Sequence, residues 1–219
     1  MGDEKTIYLN RDLSWLSFNQ RVLMEAADKT VPLYNRISFL SIFSSNLDEF
    51  FRVRMPSIFA FTSIDAKKSA LREEYPKDLV QHVQTMVLQH QEEFGNILRS
   101  QIIPELQQHH IYLYFNEPVR KEHVENVREY FLSHVLSFMQ PILLQKENQA
   151  TVFLDNNALY FIVSLTSLEN PDKQLYALLN IPSANLPRFT ELPMLGHDYY
   201  LVFLDDVIRE NIAEVFPGY

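Results

Sequence analysis

The chain has no cysteine. That excludes disulfides, thiolate nucleophiles and Cys-based zinc sites. Glycine is nearly as scarce, with only Gly2, Gly95, Gly196 and Gly218 among 219 residues. A P-loop or a dinucleotide fingerprint needs several glycines within a few positions, so that the backbone can wrap a phosphate closely. Four isolated glycines build neither. No apolar run reaches the ~18 residues of a membrane-spanning helix, because charged or strongly polar residues interrupt each one. The opening Met1-Gly2-Asp3-Glu4-Lys5 lacks the basic, then apolar, layout of a secretory leader. An excess of cations is missing too. The net charge of −9 argues against a general nucleic-acid or anionic-membrane binder. The deficit is uneven: Met1 to Tyr75 carries ten basic and ten acidic residues, the remainder nine against eighteen. An anionic ligand meets less repulsion in the first third.

What is present is an ordinary globular composition, 47% apolar and 21% charged. The length suits one large domain or two small ones. The first half reads as helical. Leu16 to Ala27 carries Leu16, Val22, Leu23, Ala26 and Ala27 at helical spacing, and Leu33 to Ser44 carries Leu33, Ile37 and Leu40. A further helix is expected to start at Asn46. From about Asp78 to Ile103 a long stripe of Leu79, Val83, Met86, Val87, His90, Phe94, Ile97 and Leu98 predicts one long helix, with Pro104 marking a kink or end. Long helices on short loops suggest an antiparallel bundle.

The pattern changes near His109-His110. Ile111–Phe115, Ala150–Leu154, Leu159–Leu165, Gln174–Ile181 and Tyr199–Leu204 are rich in β-branched and aromatic residues and read as strands. Glu169-Asn170-Pro171-Asp172 reads as a loop between two of them. Pro118–Met139 and Asp205–Val215 read as helices. The expected fold is α+β: a helical N-terminal domain over 1–108, then an α+β domain with a mixed sheet over 109–219. Val215-Phe216-Pro217-Gly218-Tyr219 is a helix end and a turn signal at which the chain stops, so either the tail is a native stub or the second domain is truncated.

Asn46 with Glu49 three residues on has the spacing of a capping box, in which Asn46 is the N-cap of a new helix. Leu47, Phe50, Phe51, Met55, Ile58 and Phe59 then share a face. Arg54 falls inside that apolar arc and Arg52 well outside it. A guanidinium on a packed face needs a carboxylate, carbonyls or a phosphate. Asn46 has a second reading. A carboxamide both donates and accepts, which matches the N6 donor and N7 acceptor of adenine. Phe39, Phe43, Phe50 and Phe51 are nearby rings that either stack on a base or pack the core. Asp48-Glu49 and Asp205-Asp206 read as acidic first turns complementing a helix dipole, Asp205-Asp206 also as a cap. Lys67, Lys68 and Arg72 form a basic cluster that reads as a solvated face. The histidines His82, His90, His109, His110, His123, His134 and His197 make no zinc-ligating pattern. His90 lies on the apolar stripe and reads as a packed residue. No metal site is expected.

Two long blocks carry a family resemblance: Tyr8-Leu9-Asn10-Arg11-Asp12-Leu13-Ser14-Trp15-Leu16-Ser17-Phe18-Asn19-Gln20-Arg21-Val22-Leu23, and Pro32 through Arg54 with its Ser45-Asn46-Leu47-Asp48-Glu49-Phe50-Phe51-Arg52-Val53-Arg54 end. They are similar to the opening signatures of the type 1 polyphosphate kinases. Leu186-Pro187-Arg188-Phe189, Leu204-Asp205-Asp206-Val207-Ile208 and Phe216-Pro217-Gly218-Tyr219 continue the match. Met55-Pro56 departs from it and puts the local helix geometry in question. The resemblance implies reversible transfer of the terminal phosphate of ATP to polyphosphate, with Mg2+, through a phosphohistidine in C-terminal domains that this chain lacks. It implies that the helical domain supplies one wall of the adenine pocket, with Asn46 as the contact; Arg54, from its place on the apolar arc, is a weaker candidate. It further implies that the second domain helps form a homodimer or higher homo-oligomer, in a cytoplasmic enzyme able to associate peripherally with the membrane. A fragment of this kind is expected to be inactive alone. The reading of a different class is a non-catalytic helical interaction or oligomerisation module.

Overall fold

The computed structural model describes residues 10–63, 76–115, 117–144, 153–156, 158–168, 170 and 174–219. The chain divides into two compact units, Met1–His109 and His110–Tyr219.

The first unit is helical. Helix α1 (Arg11–Ala27) begins at Asn10, whose side-chain oxygen accepts from the backbone N–H of Asp12 and Leu13 at 3.0 and 3.2 Å. Helix α2 (Leu33–Glu49) follows Pro32 and packs along α1. It does not stop where the sequence suggests. The chain runs through Asn46 into a π-helical turn, Phe50–Arg54, and on into α3 (Met55–Ser63). Asn46 is therefore interior to a helix, and the N-cap expectation is wrong. Asp48-Glu49 likewise lie at the end of α2 rather than in a first turn.

Helix α4 (Leu79–Ile97) leads through a second π-helical turn, Leu98–Ile102, into α5 (Ile103–Gln108). Pro104 does not end this rod. The two π turns have one cause. A proline has no N–H for the carbonyl four residues back, and its ring crowds that carbonyl. Widening the preceding turn relieves the conflict. Just ahead of Pro56, Met55 donates to the Phe50 carbonyl. Just ahead of Pro104, Ile103 donates to the Leu98 carbonyl.

Leu16, Leu23, Phe43, Phe50, Ile58 and Val83 sit at the centre of the helical core. One cation joins them. Arg36 is fully buried. Its Nε donates to the Ala26 carbonyl at 2.8 Å, Nη1 to Glu105 at 2.6 Å and Nη2 to Gln101 at 2.7 Å. These bonds tie the end of α1 and the start of α2 to the second rod, and they offset the desolvation of the guanidinium.

The second unit holds two three-stranded sheets. In the first, β1 (Ile111–Leu113) runs parallel to β6 (Asp198–Phe203), which pairs antiparallel with β5 (Phe189–Leu195). The second is antiparallel, in the order β2 (Ile142–Leu144), β4 (Gln174–Ile181), β3 (Leu159–Thr166). Helix α6 (Lys121–Tyr130) packs on β5, and α7 (Leu204–Glu210) packs on β6 and β4. The fold is α+β with a helical N-terminal region.

Several boundaries differ from the sequence expectation. The helix expected over Pro118–Met139 is α6 followed by a π turn, Phe131–Val135, and a 3₁₀ turn, Leu136–Phe138. Strands β2 and β5 were not anticipated. Phe153 and Leu154 carry no strand, while residues 150–152 lie outside those described. So do Lys67, Lys68 and Arg72, and all of the Glu169–Asp172 loop except Asn170. The C-terminal helix is two pieces, α7 and α8 (Ile212–Val215), parted at Asn211. No helix among the described residues is long and apolar enough to cross a membrane.

Candidate functional site

Helices α1 and α2 run antiparallel and meet in three rungs. Asn19 faces Asn46, with Asn46 Nδ2 donating to Asn19 Oδ1 at 3.0 Å. One turn along, Trp15 stacks on Phe50 with ring centroids 5.2 Å apart. At the end Arg54 donates through Nε and Nη2 to Asp12 Oδ1 at 2.8 and 2.7 Å. The π turn sets this register: from first rung to last, α1 advances seven residues and the facing chain eight. The Arg54 side chain is 31% exposed and that of Asp12 4%. The carboxylate demanded by an arginine on the apolar arc is thus supplied from within the chain.

Beside the last two rungs lies a pocket of about 310 Å³, lined by Arg11, Asp12, Trp15, Glu49, Phe50, Val53 and Arg54. It offers an aromatic wall, two carboxylates and two guanidinium groups. Asn46 does not line it; it sits three and four residues before Glu49 and Phe50 on the same helix. Of the rings proposed for stacking, Phe43 and Phe50 are core residues and Phe39 is half-buried. Phe51 and Phe59 are exposed, so the face shared by Leu47, Phe50, Met55 and Ile58 is narrower than the spacing suggested. Arg52 points to solvent and pairs with Glu49 at 2.8 Å.

Asn19 is the residue that sequence reading missed. It is fully buried, and its Nδ2 donates to the Phe43 carbonyl at 3.2 Å. No local pattern signals this, because its partners lie 24 and 27 residues away. Asn46 itself is half-buried, and its Oδ1 accepts no hydrogen bond among the described residues.

Three of the histidines are held by packing or hydrogen bonds. His90 is buried in the helical core, edge-on to Phe43. Burial lowers its pKa, opposed by Glu93. His123 has both ring nitrogens engaged, and His110 bonds Asp198 at 2.8 Å. Asp205 and Asp206 lie in the first turn of α7 without a capping bond. Arg188 reaches Asp205 at 2.9 Å and Arg209 pairs with Asp206. Burial raises the Asp206 pKa despite Arg209. Among the described residues no group of three His, Asp or Glu side chains comes together to hold a metal ion.

Two family models match the chain in tandem: the polyphosphate kinase N-terminal domain over residues 8–114 and the polyphosphate kinase middle domain over 122–219. The chain belongs to the polyphosphate kinase family. A family relative named polyphosphate kinase, from Vibrio cholerae serotype O1, is 36% identical over 215 residues, which is 97% of this chain and 30% of the relative. The Escherichia coli K12 polyphosphate kinase is 34% identical over 222 residues, covering all of this chain and 31% of that one. The crystal structure of polyphosphate kinase from Porphyromonas gingivalis superposes with a TM-score of 0.87 at 39% identity, over 99% of this chain and 32% of that one. The chain thus spans about a third of the length of the family members it matches.

Proposed function

We propose that the chain is the N-terminal part of an ATP:polyphosphate phosphotransferase, which moves the terminal phosphate of ATP reversibly onto polyphosphate. The observation that carries the reading is the tandem, ordered match of two polyphosphate kinase domains along one chain. The helical unit contributes to base recognition. Asn46 presents an oxygen that can accept from the adenine N6 amine, and its second Nδ2 hydrogen can donate to N7. Arg54 has the weaker claim, because Asp12 already engages its guanidinium. The phosphate chemistry, including the phosphorylated histidine, lies outside this chain. Mg2+ belongs to that chemistry, and the residues described here do not gather to hold it. Self-association is assigned to the second unit. In support, Ile142, Leu144, Ile162 and Tyr176 are exposed apolar residues of its antiparallel sheet, and both Ile142 and Ile162 pair with Leu178. Cytoplasmic residence, with peripheral contact to the membrane, belongs to the same proposal.

The test is polyphosphate synthesis from ATP. The full-length parent is expected to turn over and this chain alone is not; turnover by this chain alone would overturn the division of labour. In the parent, Asn46→Ala is expected to raise the KM for ATP more than it changes unfolding. If only stability falls, Asn46 does not contact the base.

A further inference from the structure

The adenine reading leaves a question of orientation. A carboxamide can be turned through 180°, exchanging its donor and its acceptor with little change of shape. A free Asn46 would present either sense to a base. We infer that Asn19 is a positioning residue that holds Asn46 in one sense and thereby sets nucleobase selectivity. The inference rests on Asn46 being the base contact.

The chain of orientation starts at a group that cannot be reversed. The Phe43 carbonyl is a main-chain acceptor and has no donor to offer. Asn19 must therefore turn its NH2 toward it, as the 3.2 Å bond shows. Full burial leaves Asn19 no water as an alternative partner. With Nδ2 committed, Asn19 Oδ1 faces Asn46. An oxygen there requires a donor, so Asn46 turns its own NH2 inward at 3.0 Å. The Asn46 oxygen is left on the free edge, without a partner among the described residues. A helix-interior carbonyl thus dictates, through two amides, which atom Asn46 shows.

The presented edge is an oxygen acceptor with one remaining N–H beside it. Adenine answers it with an N6 donor and an N7 acceptor. Guanine offers O6 and N7, two acceptors, and sets one of them against the Asn46 oxygen. A site built to hydrogen-bond one partner rejects an analogue that leaves its polar group unpaired. The selectivity therefore belongs to the Asn19–Asn46 pair and not to Asn46 alone. Asn19 touches no ligand; it acts through Asn46.

The experiment measures KM and kcat for ATP and GTP in the full-length parent enzyme, with Asn19→Ala, Asn19→Asp and Asn46→Ala. Asn19→Ala is expected to lower the ATP-over-GTP ratio of kcat/KM by about fivefold, the scale of one lost neutral hydrogen bond, through KM with kcat unchanged. Loss of fold would lower activity with both nucleotides together and leave their ratio alone. Asn19→Asp guards against that outcome. Buried, its carboxyl is driven toward the protonated form; its O–H then donates to the Phe43 carbonyl and its other oxygen still faces Asn46, so the ratio is expected to stay near wild type. Asn46→Ala must raise the KM for ATP. If it does and the Asn19→Ala ratio is unchanged, the positioning role is wrong and the base contact stands. If Asn46→Ala leaves both nucleotides unaffected, the base contact fails and takes the inference with it.

Discussion

One buried polar cluster in each unit takes its orientation from a main-chain carbonyl, and the two clusters end differently. In the α+β unit His123 is fully buried. Its Nε2 donates to the Pro193 carbonyl at 2.8 Å, and that acceptor fixes the tautomer. Nδ1 then accepts from the Tyr114 hydroxyl at 2.7 Å, which itself accepts from the Arg120 N–H. Arg120 donates to the Tyr200 hydroxyl at 2.7 Å and lies over the Tyr200 and Tyr112 rings. The buried members His123, Tyr114 and Tyr200 each find a partner inside this cluster. In the helical unit Asn19 also takes its orientation from a main-chain carbonyl, but its relay ends on an Asn46 oxygen that has no partner among the described residues. A closed polar network fixes architecture. An open one has a free end, and a free end is where a ligand can be read.

The comparison breaks most sharply at His123. His123→Leu is expected to cost the α+β unit about 2–4 kcal/mol, because it strands the buried Tyr114 hydroxyl and the Pro193 carbonyl. Chemical denaturation measures it, and the ATP-over-GTP ratio of the parent enzyme should not move. At the open relay, Asn19→Ala is expected to cost the helical unit about 1–2 kcal/mol, mostly the loss of a partner for Asn46. A cost as large as that of His123→Leu would mean the relay is as closed as the network.

His90 sharpens the comparison through pH. Burial holds its pKa below the ordinary value of 6.5, so the unfolded chain binds a proton more readily than the native one. Its contribution is fully present above 6.5 and is lost as pH falls through the native value. Denaturation of the helical unit at pH 7.5 and pH 5 should show that loss, and His90→Leu should flatten it. The smallest effect belongs to Arg52→Ala. Its pair with Glu49 lies in solvent, and no change in the unfolding midpoint is expected.

Local pattern made part of this visible. The helical half, the later strands β3, β4 and β6, and the packed position of His90 follow from periodicity and residue type. Some of what it missed depends on partners remote in sequence, and some on prolines within the element itself. Asn46-x-x-Glu49 has the same spacing at a helix start and in a helix interior, and here the helix begun at Leu33 runs on through it. Arg36 gave no sign of full burial, because its partners Gln101 and Glu105 are contributed from the other rod. Strand β5 was hidden by Pro193, an unfavourable strand residue. There the ladder slips between Leu192 and Leu195, and the Pro193 carbonyl is aimed at His123 instead. Pro56 and Pro104 did announce a disturbance in each rod, but not that the helix would widen and continue. The spacing singled out Asn46, and the family blocks raised its adenine reading above that of an N-cap.

The π turn at Phe50–Arg54 has a consequence at the level of the gene. It holds one residue more than the facing helix requires. Continued in regular α-helix from the Asn46 rung, the residue opposite Asp12 would be Val53, and a buried carboxylate would face an aliphatic chain. Deleting a single codon within this turn would leave the reading frame intact and remove that surplus residue, at the cost of returning the clash of Pro56 with the turn before it. Arg54 would then fall at the regular α-helical place opposite Asp12, and Met55 and Ile58 beyond it would keep their side of the helix. The turn is thus the one place in this helix where the chain can differ in length by a residue and still set Arg54 opposite Asp12.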